Sequence, residues 1–300
     1  MEKTYSGFVA IVGRPNVGKY SLMNKFVGEK VAIVSPKPQT TRNKIIGILT
    51  KGETQMVFID TPGLHKPRTK LSEYMVKQIN ESVSDVDIGV LVTEPTGEIA
   101  KAEFDLLRSL KAAKIPVILA VNKIDALSQK ELMMAKISAF SQEFEFEAII
   151  PISARTGEGV QILLDKIQSY VPEGPHFFDD DAMTDQPERV IVSEIIREKV
   201  LNNMQDEIPH GVAVGIEGMK ERTNIDGEEI ADIDATIYCE RDSHKGMIIG
   251  KGGAMLKKIG TQARVEAEKF LGIKINLRLW VKVREDWRNK AGLIKNFGYK

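Results

Sequence analysis

Cysteine is almost missing from this chain: Cys239 stands alone among 300 residues, so no internal disulfide can staple the fold. It alternates with Ile233, Ala235 and Ile237, which reads as a core position rather than a nucleophile. The four histidines, His65, His176, His210 and His244, have no metal-ligand spacing, so a zinc centre is not expected. No apolar run is long enough to cross a bilayer, and Ile115 to Val121, among the longest, suits a buried strand. The first residues, Met1 to Thr4, lack the charged-then-apolar pattern of a secretory signal, which makes the cytoplasm the expected compartment. Net charge is also absent, with 42 basic and 42 acidic residues. The signs are nevertheless separated: residues 241–300 hold 15 Lys and Arg against 5 Asp and Glu. A basic end on a neutral protein suits a polyanionic partner, nucleic acid or a membrane surface. A hydrophobic fraction of 42% over this length is enough for two domains with a core each.

What is present is a phosphate-binding spelling. Phe8 to Val12 form an apolar run, Gly13-Arg14-Pro15-Asn16-Val17-Gly18-Lys19 reads G-x-x-x-x-G-K, and a helical pattern follows through Leu22, Met23 and Phe26. Glycines let successive N–H groups turn inward around an anion, the helix N-terminus adds positive potential, and Lys19 can reach the outer phosphates. One letter departs from the motif: the position after the lysine calls for the short Mg²⁺-binding hydroxyl of Ser or Thr, and it holds Tyr20 followed by Ser21. The tyrosine hydroxyl sits at the far end of a ring, and Ser21 is turned by about 100° on the helix.

Further along, Ser35 to Arg42 form a proline-containing polar loop, and Ile45 to Leu49 read as a strand. Met56 to Ile59 read as a buried strand ending in Asp60-Thr61-Pro62-Gly63. A carboxylate at the end of such a strand can hold Mg²⁺, and Gly63 can offer an N–H to a γ-phosphate. Helices are expected near 70–84, 101–113, 129–143 and 159–170, and strands at Ile88 to Val92, Val117 to Val121 and Ala148 to Ile152. The strand at Val121 runs into Asn122-Lys123-Ile124-Asp125, a guanine reader: Asp125 accepts from N1–H and the exocyclic amine together, Asn122 offers an amide to the base edge, and the Lys123 stem covers the ring. Adenine would face that carboxylate with an acceptor and lose the pairing. Ser153-Ala154-Arg155 place backbone N–H groups where a purine carbonyl can sit.

Alternating strands and helices over residues 1–171 predict an α/β domain with a mostly parallel sheet. Residues 172–187, rich in Pro, Gly and Asp, read as an interdomain linker. Residues 188–300 follow another pattern, α-β-β-α-α-β, an α+β domain with a basic C-terminal tail. Between its two middle helices Gly250-Lys251-Gly252-Gly253 form a G-x-x-G turn preceded by Ile248 and Ile249, with Lys245, Lys257 and Lys258 nearby. Such a turn lets a sugar-phosphate backbone approach main-chain N–H groups.

On these motifs the chain resembles the Era family of bacterial GTPases over essentially its whole length. The resemblance implies a P-loop GTPase domain joined to a type II KH domain, with Gly13 to Lys19 as phosphate loop and Gln39-Thr40-Thr41-Arg42 as first switch. It further implies Asp60 to Gly63 as second switch, Asn122 to Asp125 and Ser153 to Arg155 as base-binding loops, and Ile249 to Gly253 as the RNA-binding loop. Lys19, Thr41 and Gly63 are then the residues expected to act in hydrolysis, and Thr41, with Thr40 as alternative, and Asp60 the Mg²⁺ ligands. The implied cofactors are GTP or GDP, Mg²⁺ and a potassium ion near Asn16. The implied function is assembly of the small (30S) ribosomal subunit by a monomer that binds 16S rRNA near its 3′ end and contacts the inner face of the membrane peripherally. Leu64, where many GTPases have a water-orienting Gln, has no polar atom, so turnover is expected to be slow. The competing expectation, drawn from Tyr20 and Leu64, is a nucleotide-binding RNA scaffold with little catalysis.

Overall fold

The structure, a computed structural model, describes residues 3–33, 45–60, 86–204 and 211–297. The chain divides into two compact units, the second starting at Gln186.

The first unit is built on the order β1 (Tyr5–Val12), α1 (Lys19–Val27), β2 (Ile45–Lys51), β3 (Thr54–Asp60), β4 (Ile88–Thr93), α2 (Lys101–Ala112), β5 (Val117–Val121), α3 (Lys130–Glu143), β6 (Ala148–Pro151) and α4 (Val160–Gln168). Its sheet runs β2-β3-β1-β4-β5-β6. β2 pairs antiparallel with β3, and the other neighbours are parallel. The strands are apolar because both faces are covered: β4 and β5 are buried along their whole length. One face packs Val9, Ile11, Phe58 and Val90 with Leu22, Phe26 and Leu163. The other packs Ala10, Leu91 and Leu119 with Leu107, Leu110 and Phe140. Parallel pairing brings the C-terminal ends of β1, β3, β4, β5 and β6 to one edge, where open α/β sheets hold their ligands. The helix expected at 70–84 lies outside the described residues.

The stretch read as a linker is a strap over most of its length. Pro172 to Asp185 belong to the first unit, and the Ser6 N–H donates to Pro172 O at 3.0 Å and the Gly174 N–H to Thr4 O at 3.0 Å. The Gln55 amide accepts from the Phe177 and Phe178 N–H groups at 2.8 and 3.0 Å and donates to Phe178 O at 3.0 Å. The Phe177 ring lies 4.7 Å from that of Phe8. A composition rich in Pro, Gly and Asp excludes helix and strand, but it does not exclude backbone bonds to an adjacent sheet.

The second unit contains α5 (Glu188–Asn203), β7 (Ala213–Thr223), β8 (Glu229–Cys239), α6 (Asp242–Ile249), α7 (Ala254–Leu271), β9 (Lys274–Val283) and a short α8 (Ala291–Asn296). The order α-β-β-α-α-β is the expected one. Its sheet runs β7-β8-β9, antiparallel then parallel. Val192, Ile196 and Val200 of α5 are buried with Ile233, Ile237 and Cys239, and burial raises the Cys239 thiol pKa. Along β9 burial alternates with the apolar spacing: Ile275 and Val281 are buried while Lys274, Asn276, Arg278, Trp280 and Lys282 are exposed. Trp287 is fully buried and donates its indole N–H to Gly211 O at 2.9 Å. His65, His210 and Tyr299 lie outside the described residues.

Candidate functional site

β1 ends at Val12 and the chain turns through Gly13 (φ 148°), Asn16 (φ 64°) and Gly18 (φ 97°) into α1. The two glycines are required by space as well as by angle. A Cβ on Gly13 would stand 2.3 Å from Val92 O, and one on Gly18 would stand 2.2 Å from Asn122 Nδ2. Lys19 is buried, and its ammonium donates to Gly13 O at 3.1 Å and Arg14 O at 3.0 Å. The lysine thus spans the mouth of the loop that an anion would fill, as the motif demands. Arg14 and Asn16 are exposed, Pro15 and Ser21 partly so, and Val17 is buried. Tyr20 is partly buried and packs against the core, its ring centroid 5.7 Å from Lys19 Nζ. The ring therefore serves packing, and a short hydroxyl for Mg²⁺ is missing at this position.

Asp60 is the last residue of β3, paired with Ile11 and Ile45, so its backbone ends at the same sheet edge as the phosphate loop. Thr61, Pro62, Gly63, Leu64, Gln39, Thr40, Thr41 and Arg42 lie outside the described residues.

The loops expected to read the base follow β5 and β6. Asn122 follows β5, is almost fully buried, and its N–H donates to Thr93 O at 2.8 Å. Its side chain was expected to face the base; it also joins two loops, Nδ2 donating to Val17 O at 2.8 Å and Oδ1 accepting from the Ala154 N–H at 2.9 Å. This tie was invisible in sequence because its partners are backbone atoms over 30 residues and over 100 residues away. Lys123 takes the left-handed conformation (φ 69°), and its ammonium pairs with Glu94. Asp125 accepts from Ser153 Oγ at 2.6 Å and pairs with the Arg155 guanidinium. The Ser153 bond, followed by Arg155, holds the Asp125 carboxyl below its ordinary pKa against the opposing effect of burial. Ser153 and Ala154 are buried, whereas the Arg155 side chain is mostly exposed. An ionised carboxylate that already attracts two donors is suited to the paired N–H groups of guanine.

In the second unit α6 stops at Gly250 (φ 72°), and Lys251 to Gly253 make a tight turn into α7 with Gly252 at φ 58° and Gly253 at φ 80°. A Cβ on Gly250 would stand 2.7 Å from Met255 Cβ, while Gly252 and Gly253 face open space. Ile249 is partly buried at the start of the turn. Among the described residues Lys245, Lys251, Lys257 and Lys258 enter no ion pair, whereas Arg264, Lys274, Arg278 and Arg288 are held by Glu268, Glu228, Asp234 and Glu240. The basic excess is thus partly neutralised, and the lysines beside the glycine turn are among those left without a carboxylate partner. A cleft of about 390 Å³ continues from Gly253 past Lys257 between α7 and β9, floored by Leu256, Gly260, Leu277 and Leu279 and edged by Thr261 and Arg264. Sequence pattern missed these last residues because their apolar spacing is that of any amphipathic helix and strand. β9, which contributes Leu277 and Leu279 to this cleft, is an edge strand of its sheet.

A family model described as a 50S ribosome-binding GTPase matches residues 8–123, and a KH-domain model matches residues 207–288. The chain is 54% identical to a curated GTPase Era of Clostridioides difficile over 294 residues, 98% of each chain. It is 51% identical to that of Ruminiclostridium cellulolyticum over 295 residues, 98% of this chain and 97% of the relative. Among solved structures it is similar to an alanine-substituted Era of Aquifex aeolicus bound to GDP and AlF4⁻ (TM-score 0.93, 36% identity, 99% of each chain). It is similar also to an Era in complex with MgGDPNP and nucleotides 1506–1542 of 16S ribosomal RNA (TM-score 0.92, 36% identity, 99% of each chain).

Proposed function

This chain belongs to the Era family of GTPases, and on that premise we propose that it hydrolyses GTP while gripping the 3′ region of 16S rRNA during small-subunit assembly. The observation that carries the reading is the pairing of two sites, one in each unit. One is a phosphate loop tied by Asn122 to a carboxylate poised for guanine. The other is a glycine turn ringed by unpaired lysines at the head of a cleft.

In this reading the phosphates are held by backbone N–H groups of the Gly13–Lys19 loop, Pro15 excepted, and by the Lys19 ammonium, which exchanges for them the carbonyls it now bonds. Asp125, assisted by Ser153 and Ala154, selects guanine. Thr41 and Asp60 are the residues that would hold Mg²⁺, whose chemistry is to neutralise charge on the outer phosphates. Gly63 offers its N–H to the γ-phosphate. With Leu64 after it, hydrolysis is slow, and the protein works as a switch whose loops are held by γ-phosphate and released on its loss. Asn16, exposed in the loop, is the residue that would hold a potassium ion, whose chemistry would be to add positive charge beside the phosphates. The protein acts as a monomer in the cytoplasm, with peripheral contact to the inner face of the membrane. The relatives, named as GTPases, do not favour the idle-scaffold alternative.

Crosslinking the full chain to small-subunit RNA in its GTP and GDP states tests the reading. Contact at the 16S 3′ end should depend on the nucleotide and vanish in Lys251→Glu, whose new carboxylate would stand exposed at the turn and repel phosphate. Calorimetry that finds ATP bound as well as GTP, or crosslinks indifferent to Lys251→Glu, would overturn it.

A further inference from the structure

Between the phosphate loop and the base reader lies a loop with buried charges beneath it. It starts where β4 ends at Thr93, runs from Glu94 to Ala100, and enters α2. Its two ends are held by one carboxylate: Glu103, fully buried, accepts the Ala100 N–H at 2.8 Å and the Thr93 hydroxyl at 3.4 Å. Its middle is held from α3 by Lys136, itself only 7% exposed, which donates to Thr96 O at 2.9 Å. Burial lowers the Lys136 pKa, opposed by Glu103. A buried ammonium and a buried carboxylate under one loop are costly unless each is well bonded, so the loop is fixed rather than free to drift.

What the frame presents is Glu94. Thr93 and Val121 are partners across β4 and β5, so one step beyond the strands Glu94 reaches the Lys123 ammonium and pairs with it. Lys123 is the residue whose stem is to cover the guanine ring, and a four-carbon stem on a left-handed residue has many rotamers to lose. We infer that Glu94 is a positioning residue for nucleotide retention: it pins the Lys123 ammonium so that the stem lies across the base, and Lys136 and Glu103 hold Glu94 in place to do so. The inference rests on the guanine-reader reading of Asn122 to Asp125 and deepens it.

The test is release of a fluorescent GDP analogue from the full chain, chased with excess GDP. Glu94→Ala should release it about three- to fivefold faster at low salt, the scale of a half-exposed ion pair. Glu94→Asp should recover part of the loss. Added salt should quicken release from the unaltered protein and leave Glu94→Ala largely unmoved, because screening removes only a pair that exists. In a Lys136→Met background, which keeps the side-chain volume, Glu94→Ala should add less than it does alone. Circular dichroism melting checks that each variant is folded. Release from Glu94→Ala at the unaltered rate, or slower, would overturn the inference, as would full additivity with Lys136→Met. If Asp125→Asn still holds GDP tightly, the guanine-reader reading itself has failed; if it does not, a null result for Glu94 counts against this inference alone.

Discussion

At the scale of single residues, two side chains give sharp expectations. Tyr20 packs its ring on the core where a Mg²⁺-binding serine is called for. Tyr20→Ser is therefore expected to raise Mg²⁺-dependent GTP turnover several-fold in a single-turnover assay while lowering the melting temperature, since buried ring area is lost. Equal turnover would show that the tyrosine is no handicap. Asp125 has its pKa lowered first by the Ser153 hydroxyl and then by Arg155. A depressed carboxylate remains ionised above its folded pKa and loses its charge only as pH falls through that value. The part of GDP affinity that depends on the Asp125 charge, read as the preference for GDP over IDP, should thus persist down through the ordinary Asp range near about 3.9. Ser153→Ala should move the onset of the fall to higher pH, read by GDP titrations at graded pH.

At the scale of elements, the strap has its own pH dependence. His176 Nδ1 lies 2.6 Å from Asp180 Oδ1 and Nε2 lies 3.1 Å from Glu53 O. A carboxylate and a carbonyl both only accept, so the ring makes both bonds when doubly protonated. The Asp180 bond, then the Glu53 carbonyl, raises its pKa above the ordinary 6.5. A raised folded pKa means that the contribution is fully present below the unfolded value and is lost as pH rises through the folded one. Hydrogen exchange at the Phe177 and Phe178 amides, corrected for intrinsic rate, should quicken above that pH and become pH-insensitive in His176→Phe. Most elements could be read from the sequence because their periodicity is strong: the burial of Val192, Ile196 and Val200 and the alternation along β9 follow directly from apolar spacing. The glycine turn into α1 was equally readable, since positive φ and close packing at Gly13 and Gly18 need that residue type at that spacing. The strap, the Asn122 tie and the frame under Glu94 were not, because each rests on a side chain meeting backbone far away in sequence, which no local pattern records.

At the scale of the whole molecule, the two units hold separate apolar clusters, and the first unit extends to Asp185 rather than to residue 171. A fragment of residues 1–185 should fold and bind GDP, whereas one ending at residue 171 should melt several degrees lower because it forfeits the Gln55 bonds and the Phe8 ring contact. Comparing their melting curves with and without GDP checks this, and equal stability would return the strap to the status of a tether. The amide that links Val17 to Ala154 has a broader consequence. If the phosphate grip and the base reader lie where proposed, they share one mechanical brace that stands before any ligand arrives. Loosening it with Asn122→Ala should therefore weaken the hold on pyrophosphate as well as on guanosine, a double loss from a single amide.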